Sequence, residues 1–344
     1  MSVTDIHQII HSPDYDFLWH NDHLKNNIIM LGYGGSHAYG LNTPESDVDL
    51  RGIALNSADE LLCGNPFEQV VDRQTDTTIY GFNKIISLLI DCNPNTIEML
   101  GLREEDYIIL EPEGKQLVEN RKMFLSQRAA HGFGGYANAQ LHRLSNKAAR
   151  LVPQAELETH ILKSVQHAFV DMLRGNEQIP TNAIRLFIDK SNKDDYDTEI
   201  FCNIHLDHYP LRDFKNIMNG CGEIVKSYSK LGKRNEYAIE QGRLAKHMCH
   251  LVRLYKMGID ILEKEEIITY RVDDHDQLMS IRNGEYLDAN RQPIPEFFEM
   301  VDSLEQRFNY AKANTSLPVK PDYERIGAFV RQVNLGVCSR AGEF

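Results

Sequence analysis

The chain has 344 residues, 42% hydrophobic and 25% charged, enough for two domains of ordinary size around a buried core. Its formal net charge of −13 excludes a protein that coats nucleic acid through a broad basic surface, and leaves room for a nucleotide or RNA site built from a few local cations and bound metal. Six cysteines without a Cys-x-x-Cys pair read as reduced thiols, mostly core filler, in a cytosolic protein.

The opening segment "MSVTDIHQIIHSPDYDF" has acids and histidines where a signal peptide needs a basic start and an apolar core. The best apolar run, "IISLLI", is too short to cross a membrane, so no membrane partner is expected. Next, "NNIIMLGYGG" reads as a strand, "SDVDLRGIAL" as a second and "QTDTTIYGF" as a third. "NKIISLLIDC" has helical spacing. In "NPNTIEMLGL", Asn93 and Pro94 suit the cap and first turn of a further helix, with Asn95 and Glu98 as cap and scaffold. From about Gln127 the pattern turns helical. "SQRAAHGFGGYANAQLHRLSNKAARL" is interrupted near Gly132–Gly135, and "ELETHILKSVQHAFVDMLRG" follows. A stretch from about Glu236 to Glu266 is the longest helix, and "IPEFFEMVDSLEQRFNYAKANTSLP" closes the series. The acidic "DKSNKDDYDTEIFCNIHLDHYP" reads as a loop or small insertion. The fold class is therefore α+β: a small strand-and-helix core over residues 1–125, then a mainly helical region over 126–344.

The chemistry concentrates in "MLGYGGSHAYGLNTPESDVDLRGIAL". In a strand, Asp47 and Asp49 share one face, and two neighbouring carboxylates repel unless something positive lies between them. Divalent cations are the commonest functional answer, with protons or an arginine as alternatives; Arg51 either neutralises the pair or faces away. Upstream, Gly34-Gly35-Ser36 ends a strand in a tight turn. Glycine admits a ligand close to the backbone, and the serine hydroxyl with nearby N–H groups suits phosphate oxygens. Together the two halves describe a metal-assisted phosphoryl or nucleotidyl transfer site. The alternative is a plain turn beside two exposed strand aspartates.

"GGSHAYGLNTPESDVDLRGI" resembles the signature of the DNA polymerase β-like nucleotidyltransferases. The resemblance is strongest to the RNA-ligase-associated members also found in large phages, and "NPNTIEML", "KHMCHLVRLYKMGIDILEKEEI" and "RVDDHDQLMSIRNGEY" extend it. It implies a mixed-sheet nucleotidyltransferase core, closed by the helical region over a nucleotide and acceptor cleft. Gly35 and Ser36 would hold the triphosphate of an NTP. Asp47 and Asp49 would ligate two magnesium ions, with manganese as an alternative, one activating an acceptor hydroxyl and the other stabilising the leaving pyrophosphate. The acceptor would be an RNA end, a small molecule or a protein, in the host cytoplasm if the chain is viral. The family adds a third carboxylate, Asp76 or Asp72; Asp76 is preferred because it enters the more β-prone segment. A catalytically silent nucleotide-binding module is the alternative function.

Lys246, His250 and Arg253 fall on one face of the longest helix. With the resemblance, they form a cationic wall toward the triphosphate; without it, a solvated face. The spacing of His247, Cys249 and His250 follows no common zinc pattern. Gln140, Arg143 and Lys147, with Tyr136 a turn above, suit a base or an RNA backbone, or equally the wet side of an amphipathic helix. His37 and Tyr39 lie in the turn and would line the nucleotide pocket, and Arg271 or Arg282 would reach phosphate. Oligomeric state is not legible in the chain.

Overall fold

The structure, a computed structural model, describes residues 9–64, 67–148, 184–190, 198–211, 214–215, 244–289 and 291–341. It divides into two compact units, one of Met1–Gln140, Met248–Tyr286 and Ile294–Phe344, the other of Leu141–His247 and Leu287–Pro293. These units do not follow the boundary expected after residue 125, because the late helices return to build the first unit.

Five strands form the sheet of the first unit: β1 (Ile28–Tyr33), β2 (Leu50–Ala54), β3 (Gln69–Asp72), β4 (Thr77–Gly81) and β5 (Tyr107–Leu110). Their order is β3-β4-β2-β1-β5, with β2 and β4 parallel and the other pairs antiparallel, so the sheet is mixed and the fold α+β. Every residue of β1 is buried, which explains its unbroken apolar run. On β4, Thr77, Ile79 and Gly81 are buried while Thr78 and Tyr80 are half-exposed, the alternation of a sheet with one open face.

The helices used below are α1 (Gly35–Ala38), α2 (Phe82–Ile90), α3 (Pro94–Ile97), α4 (Arg128–Ala148), α5 (Leu244–Lys264), α6 (His275–Arg282), α7 (Pro295–Asn314) and α8 (Tyr323–Ala341). Helix α2 buries Phe82, Ile85, Ile86 and Leu89, a stripe at helical spacing, and Phe82 meets Phe329 of α8 edge to face with ring centroids 5.9 Å apart. Helix α5 is buried on most sides, with Leu251, Val252, Leu254, Tyr255, Met257 and Ile261 all hidden, as expected of a helix inside a core.

Several expectations are corrected. The second strand begins at Leu50, not Ser46, because Thr43–Ser46 form a turn: Ser46 N–H donates to Thr43 O at 2.9 Å, and Thr43 N–H donates to Ser46 Oγ at 2.9 Å. Asp47 and Asp49 thus lie on the segment entering the strand. Helix α4 runs unbroken through its glycines. At Gly132 a side chain would stand 2.7 Å from the Cys92 carbonyl, so here glycine permits close packing and does not interrupt the helix. Two edge strands (β3 and β5) and the last helix (α8) went unread in the sequence.

In the second unit, β6 (Ile184–Lys190) and β7 (Thr198–Ile204) pair antiparallel, so part of the segment read as an irregular loop is a ribbon strand. Phe187 and Phe201, directly opposite, stack with centroids 6.0 Å apart, a cross-strand pair the acidic composition obscured. The helical segment 156–175 and residues 236–243 lie outside the described residues. Of the described cysteines, Cys92 and Cys249 are buried, Cys63 and Cys202 are exposed and Cys338 is intermediate, so core filling accounts for only two.

Candidate active site

The site begins where β1 ends. Gly34 N–H donates to the Asp49 carbonyl at 2.8 Å, continuing the β1–β2 ladder one rung past Leu50. The chain then turns into α1 through Gly35, whose φ of +53° is a left-handed conformation that favours glycine. A methyl group there would lie 1.7 Å from Asp49 Oδ2, so the Asp49 carboxylate rests directly on the glycine. Ser36 follows, half-buried, in the same short turn.

On the neighbouring parallel strand, Leu50 pairs with Thr77, which sets Asp76 beside Asp49. Asp76 has φ +44°, a left-handed value that aspartate tolerates better than most residues. Arg51 holds it by donating to its carbonyl and, at 3.2 Å, to its Oδ1. Arg51 thus neutralises an aspartate, and the partner is Asp76. Burial pushes Asp49 up to about 6; the charge of Asp76 and a hydrogen bond with it add to this, Arg51 opposes it and Asp47 adds a little. Asp72 is engaged elsewhere: its carboxylate accepts from Thr75 N–H and Oγ1, both at 2.8 Å, and closes the β3–β4 turn.

A second cluster adjoins the turn at Tyr39, the residue after α1. Its hydroxyl donates to Glu98 Oε2, and the Arg253 guanidinium lies 3.5 Å from its ring centroid. Arg253 Nη2 is 2.9 Å from His250 Nδ1, and its buried Nε has no partner. Burial pushes Glu98 up, against the charge of Arg253, the Tyr39 hydrogen bond and the charge of Arg51. The structure therefore brings His250 and Arg253 together on Tyr39. Lys246 is exposed in the first turn of α5, within the second unit. Sequence reasoning missed Glu98 as a site residue; Asn93, whose side chain accepts from Asn95 N–H at 3.0 Å, is the cap of α3. A lone carboxylate inside the apolar "TIEMLG" was the available signal.

Two further residues set the loop. Arg282 of α6 donates to Ser46 Oγ at 2.9 Å, one residue before Asp47, and so grips protein and not an open phosphate position. His37 stacks on Tyr33 with centroids 5.4 Å apart, and its buried Nε2 is unpartnered. Burial lowers its pKa below the ordinary 6.5. The unfolded chain then takes up the proton first, so the stabilisation His37 contributes is present above about pH 6.5 and is lost as pH falls through its lower folded value. We expect the melting temperature to drop over that window, and His37→Phe, which keeps the stack and cannot titrate, to flatten the drop. An identical pH profile in the variant would refute this.

Asp47, Asp49 and Asp76 carry oxygen donors, the ligand type that hard divalent cations take, and burial first, then the charge of Asp76, raises the pKa of Asp49. Among the described residues, no three His, Cys, Asp or Glu side chains close into a ready cage; Asp47 is exposed, and Arg51 takes one side of Asp76.

A Gly-Gly-Ser turn seated on an aspartate at the mouth of a mixed sheet is the arrangement that the resemblance to polymerase-β-like nucleotidyltransferases implies. Residues 15–176 match the family model described as RlaP, the RNA repair pathway DNA polymerase beta family, so the resemblance holds for that segment. The chain is also 26% identical over 156 residues to a protein of Enterobacteria phage T4 described as "Uncharacterized 38.9 kDa protein in nrdC-mobD intergenic region"; the match covers 42% of this chain and 46% of that one. The chain thus spans about half the length of this relative. No solved structure matches it. Among the described residues, no helix is long and apolar enough to cross a membrane.

Proposed function

We propose that the chain transfers a nucleoside monophosphate from an NTP to a hydroxyl acceptor, releasing pyrophosphate, in the cytoplasm, that of the host if the chain is viral. The observation that carries this reading is the Asp49 carboxylate resting on Gly35, which sets the Gly-Gly-Ser turn against the Asp49–Asp76 pair. The turn at Gly34–Ser36 receives the triphosphate, with backbone N–H groups and the Ser36 hydroxyl directed to its oxygens. Asp47, Asp49 and Asp76 hold magnesium, two ions or manganese in their place, which when bound supplies charge neutralisation and eases ionisation of the acceptor hydroxyl. Arg253 and His250 add positive charge where Tyr39 leaves the turn, with Lys246 further along α5, and Arg51 balances the acids. In the transfer, the acceptor oxygen bonds to the α-phosphorus, the bond to the β-phosphate oxygen breaks and the hydroxyl proton leaves. In-line positioning and charge stabilisation provide the rate.

A second reading, a nucleotide-binding module without turnover, draws on the Arg51–Asp76 pair, which occupies a carboxylate the chemistry needs. The experiment offers each α-labelled NTP with magnesium to pooled RNA, to small metabolites and to the protein itself, with Asp47→Ala in parallel. Label on one acceptor, absent with the variant, is the expected result and names the substrate class. Magnesium-dependent NTP binding without transfer favours the silent module; no binding overturns both readings.

A further inference from the structure

The same face of the sheet continues past the carboxylates, with Thr78 and Tyr80 half-exposed and Ile53 buried. In register, Asp49 and Asp76 are followed by Arg51 opposite Thr78, then by Ile53 opposite Tyr80. From Asp76 to Tyr80 is four residues, about 13 Å of strand, the span from the α-phosphate to the far edge of a base in a nucleotide. Two residues near this end, Glu98 and Tyr136, are not used by the transfer chemistry. Glu98, Arg51 and Tyr136 all lie near enough to act on the Tyr80 hydroxyl, which burial already pushes up. Tyr136 of α4 is fixed by Asn93, whose Nδ2 donates to its hydroxyl at 3.4 Å. Tyr80 and Tyr136 are half-exposed, and neither ring has an aromatic stacking partner among the described residues. One turn on from Tyr136, on the same helix face, Gln140 is 9% exposed and its Oε1 has no hydrogen-bond partner. A buried amide oxygen left unpaired is costly unless a ligand or water meets it.

We propose that Tyr80 and Tyr136 stack the nucleobase of the bound NTP and that Gln140, with Glu98 beside Tyr80, reads its hydrogen-bonding edge. This rests on the nucleotide reading above and adds where the base lies and what discriminates among bases. Two unstacked aromatic faces suit any base, and an amide and a carboxylate suit exocyclic amino and ring N–H donors. The site would therefore bind the NTP by both ends, phosphates at Gly35–Ser36 and base at the tyrosines.

The test is calorimetric titration, with magnesium, of each of the four NTPs and of inorganic tripolyphosphate into the full chain and its Tyr136→Ala, Tyr80→Ala, Tyr136→Phe and Gln140→Leu variants, each first checked for a cooperative melt. At least one NTP should bind more tightly than tripolyphosphate. Tyr136→Ala and Tyr80→Ala should each weaken that NTP about tenfold, the loss expected for a removed stacking face, with tripolyphosphate unchanged. Tyr136→Phe should retain the affinity, and Gln140→Leu should alter the ranking of the four bases. Equal losses for NTP and tripolyphosphate, or NTP affinity unmoved by both alanine variants, would overturn the base site and leave the phosphate grip standing. An unaltered ranking would remove Gln140 from it. Failure of the unmodified chain to bind any of these ligands would overturn both proposals.

Discussion

Asp49→Asn is expected to abolish transfer and, in metal-free buffer at pH 7, to raise the melting temperature. The two effects share one cause. Asp49 is part-buried against Gly35 and faces a second carboxylate, so its pKa stands at about 6, above the ordinary 3.8. A carboxyl raised in the folded state stabilises the protein below its unfolded pKa, and that contribution is lost as pH rises through the folded value. At pH 7 the ionised Asp49 is therefore a net cost, on the order of 1 kcal/mol once solvent screening of a partly exposed group is allowed for. Asparagine keeps the shape and removes the charge; below about pH 4 its advantage should vanish. On the proposed reading activity should fall about a thousandfold or more, since Asp49 would be a metal ligand that positions several kcal/mol of charge stabilisation. A variant that melts lower at pH 7, or still transfers label, would contradict this account. The pattern is that of a site held at the expense of stability.

Asp260→Ala is expected to cost about 1.5–3 kcal/mol of stability, the loss of a buried charged hydrogen bond from Arg271, which keeps Asp274 as its other partner. Arg271 is 5% exposed by its side chain and Asp260 7%, with Arg271 Nη1 2.6 Å from Asp260 Oδ2. Arg271 also donates to Asp274, which takes Lys256 on its other oxygen. Burial pushes Asp274 up, but the hydrogen bonds from Lys256 and Arg271 outweigh it and hold the acid below the usual range. The network lines a cavity of about 330 Å³ whose cations are already engaged, which marks it as a brace. Through its backbone, Arg271 N–H donates to the Tyr39 carbonyl at 3.2 Å, so the brace also steadies the turn beside the site. Lys264→Ala, at the half-exposed end, should cost under about 1 kcal/mol. The double replacement Asp260→Leu with Arg271→Met should recover much of the loss, because the two buried charges leave together, Asp274 keeps Lys256 and Lys264 is half-exposed. Chemical denaturation of the three variants decides it; a double variant as unstable as the sum of the single losses would refute the argument.

The Gly34–Ser36 turn was legible in the sequence because Gly-Gly-Ser after an apolar run admits few conformations, and β1, β4 and α2 were legible by period. The ends of elements were not. That Asp49 precedes β2 depends on a turn at Thr43–Ser46 whose anchor, Arg282, is remote in the chain. Likewise α4 reads as broken because glycine has poor helix propensity, and only the approach of the Cys92 carbonyl explains its use there. Asp72 is set apart by a local turn, in which it accepts from Thr75, but what places Asp76 beside Asp49 is the parallel pairing of β4 with β2, a non-local contact. The Arg253–Tyr39–Glu98 cluster joins three distant segments, and no periodicity could report it.

The tether between Arg282 and Ser46 spans 236 positions of chain. A polypeptide leaves the ribosome N-terminus first, so the loop that presents Asp47 is complete in sequence long before the residue that anchors it has been made. The Tyr39 turn waits in the same way for Arg253 and Arg271. The acidic loop therefore passes through synthesis without its final restraint, and the site becomes whole only as a late act of assembly. Order of manufacture, as well as geometry, leaves this loop without its anchor until Arg282 has been made.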